Sequence, residues 1–176
     1  MSLLEECEQR AVLHPLRCGL LIILIAAAAL PARAMELTGT ATPLDGDTLA
    51  LNGEHVRLHG IDAPERTQTC SVHGQPWACG RGAQQYLAAA TGGRTVVCQG
   101  SKRDRYGRLI AVCSVDGRNL NADLVRQGWA IAYRRYALDY VGEEAEAQQA
   151  RRGLWQGEFV PPADWRQGVR ALASGE

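Results

Sequence analysis

Aromatic residues are scarce, at 6% of the chain, with a single phenylalanine. That argues against a broad stacking platform for bases. An excess of either charge is also missing, since 19 Lys and Arg balance 19 Asp and Glu. Affinity for a polyanion therefore cannot be read from global charge and must rest on local placement. There is no Cys-x-x-Cys pair to mark a zinc site, and His55, His59 and His73 fall at no metal-ligand spacing. Ser71 and Ser101 have no base within motif reach, so a serine nucleophile has no support. Internal repeats and low-complexity tracts are absent after Ala34. What is present, 176 residues with 46% hydrophobic and 22% charged, suits one ordinary domain with a real core.

No apolar run reaches the roughly 18 residues of a membrane-spanning helix. The longest, Cys18 to Leu30, follows Arg10 and Arg17 and precedes Ala32-Arg33-Ala34. This is the pattern of a secretory signal over residues 1–34, cleaved after Ala34. The polar leader with Glu5, Glu6 and Glu8 is long for a signal, which leaves open a retained N-terminal anchor or a misjudged start codon. All three readings put the remaining domain, 35–176, outside the cytoplasm, in the periplasm or secreted. Contact with a membrane is expected only if the segment is retained. Removing it costs Arg10, Arg17 and Arg33 against Glu5, Glu6 and Glu8, so the balance of charge is unchanged.

Cys7 and Cys18 lie in this leader, leaving Cys70, Cys79, Cys98 and Cys113. An even number in an exported chain reads as disulfides. Three connectivities are open. Cys70–Cys79, closing a short loop, and Cys98–Cys113, lying across paired strands, are favoured.

Alternation and turn residues predict strands at Glu36–Thr42, Thr48–Leu51 and Glu54–Leu58, the last two joined by Asn52-Gly53. A long loop runs from Gly60 to Pro76. A helix is expected over Arg81–Ala90, then strands at Arg94–Gln99 and Leu109–Val115. Helices follow at Asn121–Gln127 and about Tyr140–Arg152, each stopped by glycine, with an extended, tryptophan-anchored tail over Trp155–Trp165. Five short strands with about three flanking helices give an α+β plan, a β-barrel of the OB-fold type.

Two acidic clusters fall at strand ends, Asp45-Gly46-Asp47-Thr48 and Asp62-Ala63-Pro64-Glu65. Carboxylates at neighbouring strand ends can converge on one hard cation. Each cluster read alone is more often a turn former or a solvated loop. Arg57 sits in an apolar strand, and Arg108 ends the turn Asp104-Arg105-Tyr106-Gly107-Arg108. Phosphoryl transfer needs permanent, planar cationic donors around the phosphate oxygens, although a lone arginine is more often a surface ion pair.

Taken jointly, Leu44-Asp45-Gly46-Asp47-Thr48, Val56-Arg57-Leu58-His59-Gly60-Ile61-Asp62-Ala63-Pro64-Glu65 and Asp104-Arg105-Tyr106-Gly107-Arg108 resemble the thermonuclease, or staphylococcal-nuclease-like, family. Ala122 to Ala130 and Gly153-Leu154-Trp155 fit as well, so the resemblance spans about Thr38 to Trp155. It implies a calcium-dependent nuclease acting on DNA, RNA or both, by attack at phosphorus with loss of the 5′ oxygen to leave 3′-phosphate ends. Asp47, Asp62 and the carbonyl of Ala63 would hold the calcium ion, and Glu65 would manage the attacking water. Arg57 and Arg108 would stabilise the phosphate, while Arg105, Tyr106 and Tyr133 would contact substrate. Three departures stand out: Ala63 replaces a threonine, the loop from Arg66 to Gly80 does not match, and Tyr136 is spaced differently. The rival readings are a catalytically silent barrel that binds nucleic acid or protein, and an envelope component held by an uncleaved anchor. The five acid and arginine positions favour the nuclease over both. No stable protein partner is implied, and a monomer suffices.

Overall fold

The computed structural model describes residues 35–170. The expected signal or anchor segment at 1–34, and residues 171–176, lie outside the described residues. The chain opens with Met35–Gly39 (β1) and Ala41–Pro43 (β2). The Asp45-Gly46-Asp47 turn leads into Thr48–Leu51 (β3), and Asn52-Gly53 reverses it into Glu54–Leu58 (β4). Both turn residues have positive φ, as a two-residue hairpin matched to strand twist requires. Next come Ile61–Asp62 (β5), Cys70–Val72 (β6), Gln75–Trp77 (β7) and the helix Cys79–Thr91 (α1). Val96–Arg103 (β8), Leu109–Val115 (β9) and Arg118–Asn119 (β10) precede the helix Leu120–Arg126 (α2). Ile131–Ala132 (β11), Val141–Gln149 (α3), a 3-10 turn at Gly153–Gln156 and Pro162–Arg166 (α4) complete the order.

The main sheet runs β1-β8-β9-β4-β3-β2 and is antiparallel except where β4 lies parallel to β9. Because β1 and β2 adjoin in the chain, the two edges of the sheet belong to one bent strand. The sheet therefore curls towards itself as an OB-fold-like barrel, and the α+β plan holds. Period-2 alternation aims Leu49, Leu51, Val56, Leu58, Leu109 and Ala111 inward, where Leu87 of α1 and Leu124 of α2 cover them. Each fully buried leucine contributes roughly 1.5–3 kcal/mol.

Three buried polar contacts carry this frame to the site. Asn121 of α2 donates to the carbonyls of His59 and Ala111 at 2.9 and 3.2 Å, and accepts from the Cys113 amide at 3.0 Å. Glu144 of α3 accepts from the Ala132 amide at 3.0 Å and pairs with Arg134 at 2.5 Å, which fixes β11. β11 in turn pairs with β5, with Ile131 opposite Asp62.

Two expectations change. The long loop from Gly60 to Pro76 is broken by β5 and by the β6–β7 hairpin, whose His73-Gly74 turn again has positive φ. The tail expected to be extended forms the 3-10 turn and α4, because Pro162 at the first helical position presets φ. Among the described residues, four helices therefore flank the sheet. Cys70 is bonded to Cys79 and Cys98 to Cys113, the second across directly opposed residues of β8 and β9. Among the described residues, no helix is long and apolar enough to cross a membrane.

Candidate active site

The two acidic clusters meet because Gly46 has no side chain. A Cβ there would stand 2.7 Å from the Ala63 Cβ and 2.8 Å from the Ala83 Cβ, so only glycine lets this turn pack onto the second cluster. Asp45 accepts from the Asp47 amide at 2.9 Å and shapes the turn. Asp47 is 2% exposed, and its Oδ2 accepts from the Ala63 amide at 2.7 Å. Asp62, on β5, is fully buried. Arg57 stands opposite Thr48 in the β3–β4 register, and its guanidinium forks between the carboxylates. Nη1 donates to Asp47, and Nη2 donates to Asp62 Oδ1 at 2.8 Å.

Glu65 follows on a loop tied down from three directions. Its amide donates to Gln68 Oε1 at 3.2 Å, and its carbonyl accepts from the Gln68 amide at 2.7 Å. A Cβ on Gly80 would lie 1.7 Å from that same carbonyl oxygen, so the start of α1 presses directly on the loop. Gln68 is fully buried, and its Nε2 donates to the Val160 carbonyl at 2.7 Å, joining this loop to the C-terminal tail.

That tail supplies a residue with no signal in the sequence. Arg166 of α4 donates from Nη1 to Asp62 Oδ1 at 3.0 Å and to Glu65 Oε1 at 2.9 Å, and from Nη2 to Asp62 Oδ2 at 2.9 Å. The contact with Asp62 closes 104 positions of chain, beyond the reach of any local pattern. Gln68 also carries no sequence signal, because its loop matches no motif.

Burial is the largest influence on Asp47 and pushes its carboxyl up to about 7. Arg57 opposes this, while the nearby Asp45 and Asp62 reinforce it. Burial also works against the charge on Arg57 and Arg166, but their carboxylate partners outweigh it and hold both protons more firmly. The oxygen-only, deeply buried pair of Asp47 and Asp62, with one member short of positive charge, suits a hard cation such as calcium. Among the described residues, no three acid, His or Cys side chains converge on a common ion position. Glu65 is held by Arg166 instead, so the side-chain donor set fits as two carboxylates rather than as a three-acid cage.

On the other side, Asp104 organises the turn that bears Arg108. It accepts from the amides of Tyr106 and Arg108 at 2.9 and 3.0 Å, and from Arg108 Nε at 2.7 Å. Arg108 Nη1 donates to Thr48 Oγ1 at 3.4 Å, and Thr48 Oγ1 donates to Asp47 Oδ1 at 3.3 Å. Tyr106 is 68% exposed, with Arg105 4.8 Å and Arg108 5.5 Å from its ring centroid. Tyr133 follows β11 and packs edge-on to Tyr136 at 4.8 Å, so the two tyrosines form one pair. A continuous polar path thus runs Asp104–Arg108–Thr48–Asp47–Arg57–Asp62–Arg166–Glu65. It brings together all three acids and both arginines singled out in the sequence.

Residues 55–157 match the model of a family described as staphylococcal nuclease homologue. The succinoglycan biosynthesis protein ExoI of Rhizobium meliloti (strain 1021) is 35% identical, over 70% of this chain and 66% of its own length. The probable endonuclease LCL3 of Schizophyllum commune (strain H4-8 / FGSC 9210) is 35% identical, over 69% and 47%. The micrococcal nuclease of Shigella flexneri is 35% identical, over 70% and 76%. The chain thus spans less than two thirds of the first two relatives.

Proposed function

Because the chain belongs to the staphylococcal nuclease homologue family, we propose that it is an exported, calcium-dependent nuclease. It hydrolyses phosphodiester bonds of DNA, RNA or both, with low sequence specificity, and leaves 3′-phosphate ends. The observation that carries this reading is the single polar path joining three acids to guanidinium groups at the ends of β-strands. Asp47, Asp62 and the Ala63 carbonyl hold the cation, which supplies Lewis-acid neutralisation of the phosphoryl oxygens when bound.

Each remaining role belongs to a side chain. Glu65, with a side chain 37% exposed, takes a proton from the attacking water. The water oxygen bonds to phosphorus as the bond to the 5′ oxygen breaks. Arg57 and Arg108 donate to the equatorial oxygens, where charge grows during attack. Arg105, Tyr106 and Tyr133 offer the base and neighbouring phosphate a partly exposed rim. The two disulfides support export from a leader cleaved after Ala34.

A second reading, a silent binding module, draws on the same contacts, since Arg57 and Arg166 already neutralise the acids. Plasmid DNA incubated with calcium and then with chelator separates the two. The nuclease cuts only with calcium, its exported form begins at Met35, and Glu65→Gln lowers kcat by about 10²–10⁴-fold. Retention of DNA on the protein without cleavage would establish the module instead.

A further inference from the structure

Arg166 lies beyond the matched family segment, which ends at residue 157, yet it makes the densest set of contacts at the acidic site. Both oxygens of Asp62 accept from it, and one of its nitrogens is shared with Glu65. Its placement is built into the tail. Val160 is buried and tied to Gln68, Pro162 is buried at the first turn of α4, and the Pro161 carbonyl accepts from the amides of Asp164 and Trp165. Arg170 covers the Trp165 ring at 4.1 Å. The Arg166 side chain is 36% exposed, so it can swing into solvent while Asp62 stays buried. A guanidinium does not lose its proton in the accessible pH range, so displacement is the one way to free these oxygens.

We propose that Arg166 is a resident counter-cation that competes with the divalent metal for Asp62, holds Glu65 while it is there, and so sets how much metal the site requires. The inference rests on the reading of this site as a cation-dependent nuclease centre. One positive charge on a flexible arm gives way to two on a compact ion, because both cannot use the same carboxylate oxygens. Release of Arg166 also frees Glu65 from its partner, so one exchange completes the cation site and liberates the proton acceptor.

The test is calcium titration by calorimetry and terbium luminescence on the whole protein, with Arg166→Gln, Arg166→Lys and Asp62→Asn. Removing the cation that must be displaced from Asp62 is expected to tighten calcium binding by roughly tenfold in Arg166→Gln. Arg166→Lys, which keeps the charge but loses the fork, should fall near the parent, and Asp62→Asn should bind poorly. Hydrogen exchange at the amides of Trp165, Gln167 and Val169 should quicken when calcium is added to the parent. In Arg166→Gln it should be fast from the start. Unchanged or weaker calcium binding by Arg166→Gln, with Asp62→Asn still impaired, overturns the counter-cation role and leaves the nuclease reading standing. Absence of calcium binding in both the parent and Arg166→Gln overturns the cation-dependent reading as well, and leaves Arg166 as a structural ion pair.

Discussion

The acid cluster and the turn bearing Arg108 occupy two ends of one hydrogen-bonded path, yet they are made in opposite ways. Asp47 and Asp62 are buried on or beside strands, and their positions follow from the β3–β4 and β5–β11 registers. Arg105, Tyr106 and Arg108 ride a turn organised by one carboxylate, Asp104, with the tyrosine ring in water. Burial makes charge expensive, so the first end is strongly interlocked, and its electrostatics reach into the stability of the barrel. The second end is inexpensive to hold and can meet a long, variable substrate. Buried carboxylates are thus fixed by strand register, and Arg105, Tyr106 and Arg108 by a turn.

Replacing one arginine at each end tests that contrast most severely. Arg57→Ala and Arg108→Ala should each lower kcat by about 10²–10³-fold, as loss of a donor to a developing anion does. Their stabilities should diverge. Arg57→Ala leaves Asp47 buried beside Asp62 without its ionic partner and should cost about 3–5 kcal/mol in urea unfolding without metal. Arg108→Ala breaks a partly exposed pair and should cost about 1 kcal/mol or less. Equal losses in the two variants would erase the difference between the ends.

Acidity gives a sharper probe of the buried end alone. The Asp47 carboxyl sits above its unfolded range, at about 7 against 3.8, so the folded state binds the extra proton. In chelator, the contribution of this group to stability is therefore complete below about pH 4 and lost as pH rises through 7, at up to about 1.4 kcal/mol per pH unit. Urea unfolding of the parent across that window should show this component, and Asp47→Asn should lack it. The smallest effect belongs to the turn. Tyr106→Ala should raise KM roughly fivefold, about 1 kcal/mol, with kcat and stability unchanged, because its ring supports little of the fold.

The parts visible in the sequence are those written in local pattern. Asn52-Gly53 marks its own hairpin, alternation marks β3, β4 and β9, and the Asp45 to Thr48 and Asp62 to Glu65 words lie where strands end. The disulfides formed are the two pairs that a short separation and opposed strands favour among three open connectivities. What sequence reading could not reach depends on contacts across long stretches of chain. Arg166 is one basic residue in a Pro- and Trp-containing tail, and nothing nearby records that Asp62 is its partner. Gln68 likewise looks like an ordinary polar loop residue until the fold buries it against Val160. The short helix of the tail escaped because two prolines read equally well as extended chain.

The bond from Gln68 to Val160 has a bearing on where the working unit ends. A chain cut back to residue 157, the limit of the family match, would retain every barrel strand and all three acids. It would also strand a fully buried amide directly beneath Glu65, at a cost of about 1–3 kcal/mol. The minimal domain suggested by kinship is therefore smaller than the one physics requires, and the difference falls on the loop that carries Glu65.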